Sequence, residues 1–332
     1  STLFGGISGS AVAEAAAVGG IMIPQMKARG YAPDYAVNLT ANAALIDLLI
    51  PPSHNMIIYA FATGGKVSIT SLMLAGIVPA LFLTVCMLVA AYFVAVKRGY
   101  AASAWYGWHA ILVSFVAALP GLLVVVIILG GITTGIFTPT ESAAIAVCWS
   151  LFLTFVIYRT MTWEKLMVAA AKAVKTTGII LLLIGLSATL QHLMSLYELA
   201  DLTGEALSGL TTNPLFIFLM INIILFLLGT FMDMASTILI CTPIFLPIAM
   251  EMGMGPVQFG MVMLINCALG LNTPPVGTTQ FVGCAIGGIT VGQVMRTILP
   301  FYAALTIALM FVTYIPGFST WLPSFVLGQP VQ

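Results

Sequence analysis

Asp233 is the sole acid or base between residues 206 and 250. A charge inside so apolar a run costs about 2.5 to 3.5 kcal/mol even on lenient insertion scales, so it needs a partner. Its surroundings are small or bear oxygen: Gly229 and Thr230 precede it, while Asn272, Thr273 and Thr278 flank the pair Pro274-Pro275. Carboxylate, hydroxyl and freed backbone carbonyl oxygens together suit a cation. The plainer reading is that Asp233 caps a following helix, and the two roles are compatible. A second cluster has similar make-up: Ser8, Gly9 and Ser10, with Ile50 and Ser53 flanking Pro51-Pro52. Its plainer reading is close packing of small residues. Glu14, one helical turn beyond Ser10, either pairs with His54 and lines a substrate path or makes a buried structural hydrogen bond. Asn55, Thr237 and Thr279 stand near the same breaks and, with Ser10, Glu14, Ser53 and His54, are placed to meet a substrate. Thr140-Glu141 after Pro139 reads as helix capping, and Asp47 and Asn42 as polar contacts between helices. His109 and His192 have no second ligand at helical spacing, and the five cysteines stand singly in apolar runs. No cofactor or resident metal is expected.

The elements that position these residues must lie in lipid. Hydrophobic residues make up 61% of the 332 and charged ones 6%, far from the roughly 25% charged of a soluble domain. Charges are absent from 67 to 96, 99 to 140, 176 to 197, 206 to 232, 252 to 295 and 297 to 332, each longer than the roughly 20 residues that span a bilayer. The alternation of a membrane barrel is missing, so the spans are helices. With zero net charge, composition gives no reason to expect nucleic acid. The breaks predict a hairpin arm at 10 to 24, an interrupted span at 34 to 63, and full spans at 69 to 96, 119 to 135 and 139 to 158. An amphipathic surface helix at 162 to 175 leads into a span at 176 to 197. Two pieces short for a crossing, 213 to 229 and 234 to 250, form a re-entrant hairpin. A broken span at 256 to 286, a last one at 291 to 316, and an aromatic, Pro-rich interfacial tail follow. All basic residues except Lys66 then share one side, which is cytoplasmic by charge bias.

Displaced by 223 residues, Pro24 falls on Pro247, and with it Gly6 on Gly229, Gly30 on Gly253, Pro33 on Pro256, Pro51-Pro52 on Pro274-Pro275 and Gly64-Gly65 on Gly287-Gly288. An ordered set containing a Pro-Pro pair inside apolar sequence marks a duplication. The odd number of crossings between the copies inverts the second. Inverted repeats with helices broken at matching places point to a secondary transporter whose site lies near the midplane. Each break frees backbone groups, N–H ends for anions and C=O ends for cations, which makes Leu49-Ile50 and Asn272-Thr273 carbonyl donors to an ion. The hairpin tips are expected to receive the substrate carboxylate.

At these residues the chain resembles the large membrane subunit of tripartite ATP-independent periplasmic (TRAP) transporters. The likeness rests on Ser8-Gly9-Ser10-Ala11-Val12-Ala13-Glu14, Ile50-Pro51-Pro52-Ser53, Phe137-Thr138-Pro139-Thr140-Glu141, Gly229-Thr230-Phe231-Met232-Asp233 and Thr273-Pro274-Pro275. It covers essentially the whole chain, and family members extend further at the N-terminus. The resemblance implies an all-α polytopic membrane protein of elevator type, like the ion transporter superfamily, with re-entrant hairpins and clipped helices. It implies sodium (Na+) as coupling ion, held at Ser8, Gly9, Ser10, Ile50, Ser53, Gly229, Thr230, Asp233, Asn272, Thr273 and Thr278. Its partners would be a small membrane subunit, a periplasmic substrate-binding protein that delivers an organic acid, and the lipid bilayer of the bacterial inner membrane. The expected organisation is a first repeat over 1–98, a connecting segment over 99–118, a second repeat over 119–317 and a tail over 318–332. Asp is the common family residue where this chain has Glu14, and a small or Gly-rich segment stands where it has Leu45-Ile46-Asp47-Leu48-Leu49.

Other classes fit less well. Gly6-Ile7-Ser8-Gly9-Ser10 is similar to the nucleophile loop of rhomboid-type intramembrane proteases, with His54 as the only base to propose, but duplication has no role in that chemistry. A channel needs a continuous polar lining, whereas polarity here gathers at four breaks. A divalent-anion/sodium symporter working without a binding protein is the nearest rival.

Overall fold

The computed structural model describes residues 9–100, 107–134, 136–328 and 330–331. Among them are helices and turns and no strand. Six helices are long and apolar enough to cross a bilayer, and two bent pairs bring the number to eight. The protein is an all-α, multi-pass membrane protein, because in lipid the backbone must satisfy its own hydrogen bonds.

The first copy opens with α1 (Ala11–Ala28). Helix α2 (Pro33–Ala43) tightens into a 3-10 stretch, Ala44–Leu49, stops at Pro51-Pro52, and resumes as α3 (His54–Ala62) at a bend of 49°. Helix α4 (Ile69–Lys97) follows. Between the copies lie α5 (Gly107–Thr133), α6 (Pro139–Phe152, with a π turn Leu153–Ile157), α7 (Trp163–Leu196) and α8 (Leu199–Leu210). The second copy repeats the first pattern with the hairpin α9 (Pro214–Phe231) and α10 (Met234–Glu251), then the broken pair α11 (Pro256–Leu271) and α12 (Thr278–Gly287). The short α13 (Val291–Met295), α14 (Leu299–Tyr314) and α15 (Gly317–Leu327) close the chain.

Matched residues make matched structure. Gly30 (φ 85°) ends α1 and Gly253 (φ 89°) ends α10. Beyond each glycine the chain bonds back into the helix, Tyr31 N–H to the Met26 carbonyl (3.1 Å) and Met254 N–H to the Ala249 carbonyl (2.9 Å). The 223-residue shift superposes these pairs, so both copies stop with the same left-handed glycine cap. At the breaks, Ile50 N–H bonds the Asp47 carbonyl (3.2 Å), and Thr273 N–H bonds the Gly270 carbonyl (2.9 Å). Both Pro-Pro peptide bonds are cis.

Packing crosses between the copies: α1 lies against α12, and α10 against α3. Lys27 Nζ donates to the Gly287 carbonyl (2.9 Å), joining the ends of α1 and α12. The Tyr59 hydroxyl in α3 donates to the Pro256 carbonyl at the start of α11 (2.7 Å), a second bond between the copies. Such an exchange is what an inverted duplication produces.

Four expectations need correction. The connecting segment expected over 99–118 is helical from Gly107, because Pro120 sits inside α5 without ending it; its carbonyl accepts from Trp149 Nε1 (3.0 Å). The surface helix at 162 to 175 and the span behind it are one 34-residue helix, about 50 Å long, since no proline stands there to bend it. The two arms of the second hairpin are not short, reaching 18 residues each. The tail forms α15, bent 59° from α14 and packed on α4, with Pro316 at its N-cap rather than acting as a terminator.

Candidate functional site

Two junctions form where a hairpin tip meets a helix break. At the second, a cavity of about 60 Å3 is lined by Gly229, Met232, Asp233, Gly270, Val276 and Thr278 among others. The tip and the break are held close by glycine: a side chain on Gly270 would collide with the Gly229 backbone. Asp233 is the N-cap of α10, its Oδ2 accepting from Ala235 N–H (3.1 Å). It is exposed and lines the cavity as well as capping the helix. The Thr278 hydroxyl and the Asn272 Oδ1 are buried without a hydrogen-bond partner among the described residues. Oxygen donors of this kind beside a carboxylate suit a small cation such as sodium.

Other residues of the set are committed elsewhere. The Thr230 hydroxyl donates to the Leu227 carbonyl (2.7 Å) and that of Thr237 to the Asp233 carbonyl (3.0 Å). The Thr273 hydroxyl donates to the Leu269 carbonyl (2.7 Å). Each hydroxyl gives its proton to a backbone carbonyl and keeps its oxygen lone pairs. The Asn272 carbonyl, expected to face an ion, accepts from the Tyr302 hydroxyl (2.6 Å), which also lies 2.8 Å from the Thr273 hydroxyl. Nothing local marked Tyr302 as a partner of this break.

At the first junction Ser8 lies outside the described residues, as does Gly6. Gly9, at φ 60°, sits so close to the break that a side chain would meet the Pro52 carbonyl at 2.7 Å. Ser53 is fully buried and its hydroxyl has no hydrogen-bond partner among the described residues. Asn55 is buried one residue beyond His54, which is exposed, faces the Gly9 backbone and lies within electrostatic reach of Asp233. Ile50 faces away, into an apolar cavity of about 410 Å3 between α4 and α5. Glu14 is fully buried, its N–H bonded to the Ser10 carbonyl (2.9 Å). Thr279 is fully buried at the start of α12, with its hydroxyl unpartnered among the described residues.

Asp47 joins helices as expected: from the 3-10 stretch its carboxylate accepts from the N–H groups of Gly9 (3.2 Å) and of Ser10 (2.8 Å), the N-cap of α1, at the first hairpin tip. Those tip N–H groups are therefore occupied by an internal anion, which corrects the expectation that they receive the substrate carboxylate. The signal was present in sequence: Asp47 is a lone acid among Leu45, Ile46, Leu48 and Leu49. Asn42 does join the copies, its Oδ1 accepting from Asn272 Nδ2 (2.7 Å). Glu141 caps α6 as expected, but its partner in the capping box is Thr138 rather than Thr140.

The family model of the tripartite ATP-independent periplasmic transporter, DctM component, matches residues 1–318. The uncharacterized protein YgiK of Salmonella typhimurium is 43% identical over 97% of the chain and 74% of its own length. The C4-dicarboxylate TRAP transporter large permease protein DctM of Pseudomonas aeruginosa is 38% identical over 98% of the chain and 75% of its own length. The sialic acid TRAP transporter large permease protein SiaM of Vibrio cholerae is 34% identical, covering 99% and 76%.

Proposed function

The chain belongs to the family of tripartite ATP-independent periplasmic transporters, DctM component, and from that premise we propose that it is the large permease subunit of a sodium-coupled importer of an organic acid. The observation that carries the coupling is the cavity at the second junction, lined at a helix break by Asp233 and by Thr278, whose hydroxyl is buried without a partner among the described residues. Asp233, Thr278 and Asn272 hold the sodium ion, and its charge offsets the cost of the carboxylate in lipid. The substrate is a carboxylate-bearing acid of the C4-dicarboxylate, sugar-acid or sialic-acid class. Since the first hairpin tip is already occupied by Asp47, the substrate anion meets the N-termini of α3 and α12, where neither Ser53 nor Gly277 makes a side-chain cap. A small membrane subunit and a periplasmic binding protein complete the transporter in the inner membrane, and transport proceeds by an elevator movement of the broken helices and hairpins.

Uptake of labelled acids into proteoliposomes holding the chain with its small subunit tests this. Accumulation is expected only with an inward sodium gradient and added binding protein. Uptake with sodium but no binding protein would favour a stand-alone divalent-anion symporter, and downhill flux indifferent to sodium a channel. Asp233→Ala should raise the sodium concentration for half-maximal uptake at least about tenfold, the scale of a lost ionic ligand. Unchanged sodium affinity in a folded variant sinks the assignment.

A further inference from the structure

One carboxylate stands at each hairpin tip, but different elements supply the two. The shift that aligns the copies places Ser10 on Asp233 and Asp47 on Gly270. The pair that meets at the junction is therefore serine with aspartate in the first copy and aspartate with glycine in the second. In the first, the carboxylate crosses from the 3-10 stretch to the tip, onto the N–H groups of Gly9 and Ser10. In the second it stays on the hairpin and bonds Ala235 of its own arm. The glycine opposite admits no side chain, because a Cβ there collides with the Gly229 backbone.

We propose that Asp47 is the positioning residue of the first junction, clamping the hairpin tip onto the clipped helix and supplying the negative charge that Asp233 supplies in the second. A carboxylate is the fitting group because it takes two N–H donors at once, and charged acceptors bind them more strongly than neutral ones. Its burial, with no exposed surface, keeps that attraction unscreened. Ser10, at the N-cap of α1, makes no side-chain cap of its own, and Asp47 holds the N–H groups of the two residues that lead into the helix. The charge at the tip is thus preserved between the copies while the residue that bears it has changed sides.

The inference rests on the sodium-coupled reading above, and relocating the charge tests it. Asp47→Gly should lower sodium-driven uptake at least about tenfold, as expected for loss of a charged acceptor, and lower the melting temperature of the purified protein. Adding Ser10→Asp to Asp47→Gly copies the arrangement of the second junction and should restore both readouts, uptake to within about threefold of wild type. The opposite relocation, Asp233→Ser with Gly270→Asp, should fail in both, since position 270 has no room. Asp47→Asn keeps an acceptor but loses the charge, and should raise the sodium needed for half-maximal uptake about tenfold with maximal uptake within about twofold. A double variant no better than Asp47→Gly, in uptake or in melting temperature, overturns the proposal, as does wild-type sodium dependence in Asp47→Asn. If wild type itself takes up no acid with sodium, the proposed function fails, and the relocation pattern is still read in melting temperature.

Discussion

Tyr302 reaches from α14 to the second break and serves two groups there, the Asn272 carbonyl and the Thr273 hydroxyl. Removing its hydroxyl leaves a carbonyl in the membrane interior without a donor, a cost of about 1 to 3 kcal/mol. Tyr302→Phe is therefore expected to lower the melting temperature by several degrees, and a melting curve superposable on wild type would show that the carbonyl finds another partner. Single residues were legible in sequence where they broke a local rule. Asp233 did so as a lone acid in an apolar run, and Glu141 did so as an acid just past Pro139 at a helix start, although its capping partner is Thr138. Tyr302 broke none, because an aromatic in an apolar helix reads as ordinary packing, and its partner is 30 residues away. Asp47 broke the same rule as Asp233, yet its partners lie 37 and 38 residues away, beyond what spacing alone resolves.

Between elements, α9 and α11 approach at Gly229 and Gly270, and the two glycines are not equivalent. A Cβ on Gly229 would find neighbours no closer than 3.5 Å, ordinary contact, whereas one on Gly270 would enter the Gly229 backbone. Gly270→Ala should thus cost about 1 to 3 kcal/mol by overpacking, while Gly229→Ala should melt near wild type. Equal melting temperatures for the two variants would contradict this account of the contact. Element ends marked by Gly or Pro were readable for a physical reason, since those residues act through backbone geometry that no neighbour overrides. That is why both Pro-Pro breaks fell where the sequence placed them. Pro120 and Pro316 behave differently. The first is absorbed inside α5, its carbonyl taken by Trp149, and the second starts a helix that the packing of α15 on α4 sustains.

Over the whole molecule the two copies are held together by buried amides as well as by crossed helices. Asn42 and Asn272 bond side chain to side chain, and Asn38 donates through Nδ2 to the Val294 carbonyl (3.0 Å) and the Thr297 hydroxyl (2.8 Å). A double-mutant cycle of Asn42→Ala and Asn272→Ala should give a coupling energy of about 1 kcal/mol. Strict additivity of the two losses in thermal stability would mean that the bond contributes nothing. The duplication told that two halves existed, but which helix of one touches which of the other depends on three-dimensional packing that a repeat pattern does not encode. The crossed arrangement also sets a timetable for synthesis. Lys27 meets a residue made 260 positions later, so at translation rates of about 5 to 20 residues per second α1 waits in the membrane for roughly 13 to 50 seconds before its partner exists. During that interval the face of α1 that packs on α12 must be covered by something else, and the first copy reaches its final form only after α12 has left the ribosome.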